Sequence, residues 1–489
     1  MKRKFLTNLA LLIFLNLLVK PFWIFGIDRT VQNIVGAEQY GMYFALFNFS
    51  LLLNIILDLG ITNYNNRNIA QHSQLLSKHV SNIVVLKFLL AILYLIISVS
   101  VAVIIGYEWK QMKLLLFLVL NQFLISFTLY LRSNLSGLHL FKTDSVVSIL
   151  DRILMIIICS VLIWGHITDS PFSIAWFVYA QTIAYLLTAL ITFVIVWTKL
   201  DFLHLNFDRT FFIVFLKQSY PYALLILLMS FYNRIDSVML ERMLPDGKEQ
   251  AGIYAQAFRV LDAATMFAFL FSTLLLPIFA KMIKLKESVG QLVQLSYVLL
   301  IVPAFILALI SYFYRSEIIE LLYHHHVGSS TAIFAILMMG FVSISTTYIF
   351  GTLLTANGNL RALNIMATIG MVLNIVLNLI LIPKFAALGS AYASLTTQTF
   401  TAVVQVIIAM YIFKFRINYM LAIRLFVFIS VSLLAGYFVT SLISNWFIGL
   451  LVVSLFSLFI ALLIKLINFK SLFTLIIHGE KDESKGLEI

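Results

Sequence analysis

Charged side chains interrupt stretches of this chain that are otherwise apolar. Lys20, Asp28–Arg29, Asp58, Lys87, Asp151–Arg152, Arg234 with Asp236, and Arg259 with Asp262 fall inside or at the ends of runs of Leu, Ile, Phe and Val. An ion costs far more in hydrocarbon than in water, so each such group is a candidate for function. The side-chain types suggest two kinds of chemistry. Lysine and arginine bind anions, and arginine suits phosphate through paired, charge-assisted hydrogen bonds. Lys20, Arg29, Arg152, Arg234 and Arg259 are therefore candidate contacts for an anionic cargo. Carboxylates can take up a proton or a small cation, which makes Asp28, Asp58, Asp151, Asp236 and Asp262 candidate coupling or gating groups.

Spacing sharpens these assignments. Residues three or four apart share a helix face, whereas neighbours one or two apart do not. Arg259 and Asp262 can thus pair with each other. Asp151–Arg152 and Arg234/Asp236 cannot, so their members require other partners or water. Lys20 lies deep in its run beside Pro21, which frees a carbonyl and can kink a helix. Lys87 is near enough to the end of its run to reach the membrane surface. Asn16, Asn48, Asn54, Gln181, Asn233, Gln256, Asn374, Asn378 and Gln398 are suited either to tying helices together or to binding sugar hydroxyls.

The elements that must hold these groups follow from composition. The chain has 489 residues, 62% hydrophobic and 11% charged. Soluble domains average about 45–50% apolar and about 25% charged, so the solvent for much of this chain is lipid. Its net charge of +12 therefore speaks to topology and not to nucleic acid. Fourteen stretches of spanning length occur, near 5–27, 40–63, 80–106, 113–132, 145–165, 174–198, 214–238, 251–280, 291–314, 330–355, 361–382, 386–413, 420–441 and 446–467. Unbroken runs such as FLLAILYLIISVSVAVIIG exclude barrel strands, which alternate. Lys2, Arg3 and Lys4 precede a first span with no small-residue cleavage site after it, so a retained helix is expected.

If the N-terminus lies inside and the sides alternate, inside basic residues outnumber outside ones about threefold. Both termini are then cytoplasmic. The loops are too short for a folded soluble domain, and the tail from 479 is polar.

Residues 38–47 read EQYGMYFALF and residues 249–258 read EQAGIYAQAF. Glu, Gln, Gly, Tyr and Phe recur at the same spacing, between spans one and two and again between spans seven and eight. Ile27–Asp28 and Ile235–Asp236 precede the two copies, a short insertion near Pro245–Lys248 adjusting the offset. The repeat predicts an all-α membrane protein with two six-helix lobes, 1–205 and 206–416, related by a pseudo-twofold axis around a central cavity. Two further helices (417–470) and a polar tail (471–489) follow. Parallel repeats of this kind frame alternating-access carriers. The repeat keeps the aspartate and moves the arginine from after it (Arg29) to before it (Arg234). That favours a shared gating or structural role for the aspartate and cargo contact for Arg234.

Other chemistry finds little support. Tyr323–His324–His325–His326 lacks the i,i+4 spacing of helical metal ligands. The one cysteine, Cys159, has no partner in the chain, and no phosphate-binding loop or nucleophile elbow occurs.

Three stretches, GAEQYGMY (36–43), NRIDSVML…AGIYAQAFRVLD (233–262) and NIVLNLILIPKFAALGSAYAS (374–394), together with the span count and repeat, resemble the multidrug/oligosaccharidyl-lipid/polysaccharide exporter superfamily. The likeness is greatest to its bacterial O-antigen and polysaccharide flippases and covers essentially the whole chain. It implies a carrier, not an enzyme, moving an undecaprenyl-pyrophosphate-linked oligosaccharide between leaflets of the cytoplasmic membrane. It also implies no bound cofactor, coupling to H+ or Na+, a monomer in the bilayer, and polysaccharide polymerase or assembly proteins as partners. A drug/cation antiporter, a lipid II flippase and a membrane-embedded glycosyl polymerase or ligase are the competing readings. An antiporter should have an acidic cavity, the lipid II branch a cationic one, and the enzyme a sizeable outer loop.

Overall fold

The computed structural model describes residues 14–16, 18–165, 171–204, 209–415 and 418–466. Among them every secondary-structure element is a helix. This is what lipid dictates, because a helix satisfies its own backbone hydrogen bonds where no water can. Among the described residues eleven helices are long and apolar enough to cross a membrane. They account for expected spans three to fourteen, eleven and twelve sharing the 54-residue helix Leu360–Phe413. That helix bends at Ala386 (φ 50°, ψ −132°), three residues beyond Pro383. A Cβ on Gly389 would meet the Leu381 carbonyl, so only glycine allows this close turn.

Spans one and two take in the described residues 14–16 and 18–52, divided at Gly36 (φ 77°, ψ 172°), a conformation open to glycine. The expected start of span one, 5–13, lies outside the described residues, as does the tail beyond 466. Fourteen is thus a close but approximate count.

Three boundaries differ from expectation, each with a consequence for the site. Span one continues well past 27 to Gly36, so Asp28 and Arg29 lie about two turns inside a helix and not at its outer end. On the way it passes through a π-helical turn, Trp23–Asp28, just after Pro21; such turns re-aim side chains and often mark functional positions. Span seven runs on to Met243, which likewise buries Asp236 about two turns deep. Span two is not continuous over 40–63. Its helix stops at Leu52, a 3-10 turn covers Asn54–Leu57, and a new helix runs Ile61–Gln71 after Leu59 (φ 45°) and Gly60 (φ 87°).

The two copies of the decapeptide repeat meet. A Cβ on Gly41 would strike the Lys248 carbonyl, and one on Gly252 would strike the Ala37 carbonyl. Spans two and eight therefore cross backbone to backbone at corresponding positions of the repeat. Small residues permit this approach, the usual device for packing helices in lipid. Around this crossing, further hydrogen bonds join the 14–204 and 209–415 portions. Asn48 Nδ2 donates to Ser237 Oγ (2.9 Å), and Gln111 Nε2 to Glu241 Oε1 (2.6 Å). The Arg242 guanidinium, paired with Glu241, donates to the Gly106 carbonyl (3.3 Å) and Gln111 Oε1 (3.0 Å).

Candidate functional site

Six of the ten candidate residues line one cavity of about 410 Å³. Lys20 and Asp28 come from span one, Arg152 from span five, Arg234 from span seven, and Arg259 and Asp262 from span eight. Four basic groups thus face two acidic ones, and both portions of the chain contribute.

The pairing within this wall is specific. Arg259 Nε lies 3.1 Å from Asp28 Oδ2 and donates to Tyr40 Oη (2.9 Å), while its Nη1 is 3.5 Å from Asp262 Oδ2. The i,i+3 contact expected for Arg259 and Asp262 is present, but the closer ion pair crosses to span one. Arg259 also lies over the rings of Phe44 and Phe47 at 5.2 and 5.5 Å, where their negative faces meet a cation. Arg234 Nη2 reaches Asp262 Oδ1 at 3.2 Å and Nη1 reaches Asn48 Oδ1 at 3.5 Å. Its partner is therefore on span eight and not Asp236, as the two-residue spacing required.

Lys20 and Arg152 are less committed. Among the described residues Lys20 has no hydrogen-bond or ion-pair partner. Arg152 Nη1 donates to Tyr185 Oη (3.2 Å), and its guanidinium lies over Trp23 at 5.7 Å. Its nearest carboxylate is the adjacent Asp151, in a long ion pair of 3.8 Å that corrects the expectation that these neighbours cannot pair. The geometry thus gives Lys20 and Arg152 more freedom to meet an anion than Arg234, which is held by Asp262.

Four candidates lie outside this wall. Arg29 donates to the carbonyls of Leu322 (2.6 Å) and Leu321 (3.4 Å), stapling span one to the C-terminal end of helix Arg315–Leu322. Asp58 pairs with Lys87 at 2.7 Å. Lys87 is 1% exposed and does not reach the surface, a correction to the expectation. Its ammonium instead also donates to the Leu57 carbonyl (2.9 Å) and Ser126 Oγ (3.1 Å), which fall beside the break in span two. Asp151 lines a small neighbouring pocket of about 50 Å³.

Asp236 is buried among neutral donors. Asn378 Nδ2 donates to Oδ1 (2.7 Å) and Tyr254 Oη to Oδ2 (2.9 Å). Ser390 Oγ in turn donates to Asn378 Oδ1 (2.8 Å).

Most of the span amides serve as ties. Asn16 donates to Ser148, Gln181 to Tyr43, Gln398 to Asn233 and Gln256 to the His325 carbonyl. The histidine run is tied to the same end. The His324 N–H donates to Asn33 Oδ1 (3.3 Å), and His326 Nδ1 stands 3.5 Å from Glu249. Tyr323 beside it is buried, which pushes its phenol up from the ordinary value and keeps it neutral. Trp23 and Tyr185, which shape the cationic wall, went unnoticed in the sequence because aromatic residues abound there.

The pattern of residues 6–283 matches that of a family described as polysaccharide biosynthesis protein. The chain belongs to this family. No curated protein matches it. Among solved structures, this member of the polysaccharide biosynthesis family is similar to a lipid II flippase, MurJ, in an inward closed conformation. The TM-score is 0.70 at 17% identity, over 95% of this chain and 99% of that one. It is also similar to an inward-facing multidrug resistance MATE transporter (TM-score 0.60, 14% identity, 80% and 94% covered). A third is a superfamily transporter from Pyrococcus furiosus reported with reversed binding-pocket polarity (TM-score 0.57, 15% identity, 83% and 95% covered). The fold is that of the multidrug/oligosaccharidyl-lipid/polysaccharide exporters, and the chain is a multi-pass membrane protein.

Proposed function

We propose that this chain is a flippase for a lipid-linked oligosaccharide, an undecaprenyl-pyrophosphate-linked unit of O-antigen, capsule or exopolysaccharide. The observation that carries the reading is the cavity wall in which Lys20, Arg152, Arg234 and Arg259 outnumber Asp28 and Asp262. A diphosphate cannot cross hydrocarbon bare, and a wall of ammonium and guanidinium groups replaces the water it leaves. Lobes 1–205 and 206–416 rock about the cavity, taking cargo from the cytoplasmic leaflet and releasing it at the periplasmic one, with both termini cytoplasmic. Among the candidate coupling groups, Asp236 has only neutral donors around it, so a proton or small cation bound there does not compete with an arginine.

The carrier reading excludes chemistry on the cargo itself. A cation antiporter would be served by an acidic excess, opposite to the wall described. A lipid II flippase needs the same cationic wall, and membership of a polysaccharide biosynthesis family favours the oligosaccharide.

The test uses cells whose surface polysaccharide depends on this chain. Arg152→Ala and Arg234→Ala should each abolish surface polysaccharide while the protein persists in the membrane at wild-type level. Normal polysaccharide in both variants refutes the cationic cavity.

A further inference from the structure

A second cavity, about 520 Å³, shares Arg234, Asp262 and Tyr348 with the cationic one and has a different chemistry. Its volume is within the roughly 300–1,000 Å³ typical of ligand pockets. Arg234 and Asp262 are the charged residues in its lining; they sit on the shared wall and pair with each other. The remaining polar lining is hydroxyl and amide.

Three of these groups carry a buried atom with unmet hydrogen-bonding capacity, Thr347 Oγ1 among them. Tyr232 Oη and Gln405 Oε1 have no partner among the described residues, and each of these residues is only 1% exposed. Orphaned buried polar atoms are uncommon in native proteins, since each forfeits its hydration. Beside them, Ser272 and Thr352 share a 2.7 Å hydrogen bond, and Gln398 donates to Asn233 (2.5 Å).

We infer that this second cavity is a subsite for the uncharged sugar residues of the cargo, with Tyr232 and Gln405 as hydrogen-bonding contacts. Sugar hydroxyls both donate and accept, which suits a phenol and an amide oxygen. The aromatic rings in the lining suit the apolar faces of pyranose rings. A prenyl tail would leave those polar atoms unpaired, and a charged sugar would be desolvated with no free counter-charge. The shared wall also matches the covalent order of the cargo, whose first sugar is bonded directly to the diphosphate. Consecutive residues of span seven then serve different parts of the cargo. Tyr232 and Asn233 face the sugars, and Arg234 stands at the junction.

This assignment rests on the flippase reading, and one binding experiment separates the two. Purified full-length protein in nanodiscs is titrated with three probes: a bare polyprenyl diphosphate, the same lipid bearing a neutral hexose disaccharide, and the same lipid bearing a uronic-acid disaccharide. Wild-type protein should bind the neutral glycolipid about tenfold more tightly than the bare lipid, and the acidic glycolipid no better than the bare lipid. Tyr232→Phe and Gln405→Leu should each remove about three- to tenfold of that gain, the range expected for one hydrogen bond, and leave bare-lipid affinity unchanged. Tyr232→Phe deletes only an unpartnered hydroxyl, so its fold is expected to survive, and an unchanged melting temperature verifies this. Equal binding of bare and neutral-sugar lipid by wild type overturns the subsite but not the flippase. A loss of bare-lipid binding in the variants assigns the cavity to the lipid or diphosphate and overturns the subsite. An equal gain from the acidic sugar overturns the restriction to neutral sugars. Binding of none of the probes overturns the flippase reading and the subsite with it.

Discussion

Asp28 and Asp236 occupy matching places ahead of the two copies of the repeat, and each accepts a 2.9 Å hydrogen bond from a tyrosine of the next span, Tyr40 or Tyr254. Both are almost fully buried. Their remaining partners differ in kind. Asp28 faces a guanidinium from the other half of the molecule, Arg259, whereas Asp236 faces Asn378 within its own half. One copy uses its carboxylate to join the halves by opposite charge. The other keeps it within one half, in a neutral setting. The two tyrosines come from different positions of the repeat, Tyr40 aligning with Ala251 and Tyr254 with Tyr43, so the repeat preserves the burial of the carboxylate while its hydroxyl donor and its counter-charge diverge.

The difference is testable by substitution, in order of expected effect. Arg259→Ala should be the most damaging, because it strands a buried carboxylate. Removing one partner of a buried pair costs roughly 3–5 kcal/mol, and a melting curve in detergent should show a large drop. Adding Asp28→Asn to Arg259→Ala should recover part of the loss, since it removes the stranded charge. A double variant no more stable than the single one breaks the ion-pair account of Asp28. Next come Gly41→Ala and Gly252→Ala, which test where the copies still agree. Each places a methyl group against a backbone carbonyl that cannot step aside, so each should cost about 1–3 kcal/mol by the same melting assay. Because both act at one crossing, the double variant should be milder than the sum. Strongly unequal effects would mean that the crossing is not shared evenly. The smallest effect is expected from Asp236→Asn, at about 1 kcal/mol, because Tyr254 can rotate its hydroxyl to suit an amide. A loss as large as that of Arg259→Ala would erase the contrast between the two aspartates.

The sequence carried the fold well. Long apolar runs leave no alternative to membrane helices, and the glycines that meet at the crossing, Gly41 and Gly252, are the same residues that revealed the repeat. The diverging directions of Arg234 and Asp236 also followed from helical geometry alone. Partner choice did not, because ion pairs between distant spans depend on packing that no local spacing encodes. Arg259 could be matched to Asp262 from sequence, but not to Asp28. Lys87 looked able to reach the surface because its distance to the end of the run was legible, while the break at Leu53–Gly60 that draws it inward was not. The neutral cavity was hidden for another reason. Thr and Ser hydroxyls in membrane helices commonly bond back to the preceding turn, as Thr352 does to the Tyr348 carbonyl, so their presence in a span signals little.

The break in span two gives that helix two allegiances. Above it, Gly41 and Asn48 fasten the span to the opposite half through Gly252 and Ser237. Below it, Asn65 fastens the segment Ile61–Gln71 to its own half through Ser133 and Asn134 on span four. Span two is therefore a jointed rod, with Lys87 serving as the pin that caps the open backbone at Leu57. Motion of one half against the other need not be carried stiffly from one face of the membrane to the other along this span, because its two segments answer to different neighbours.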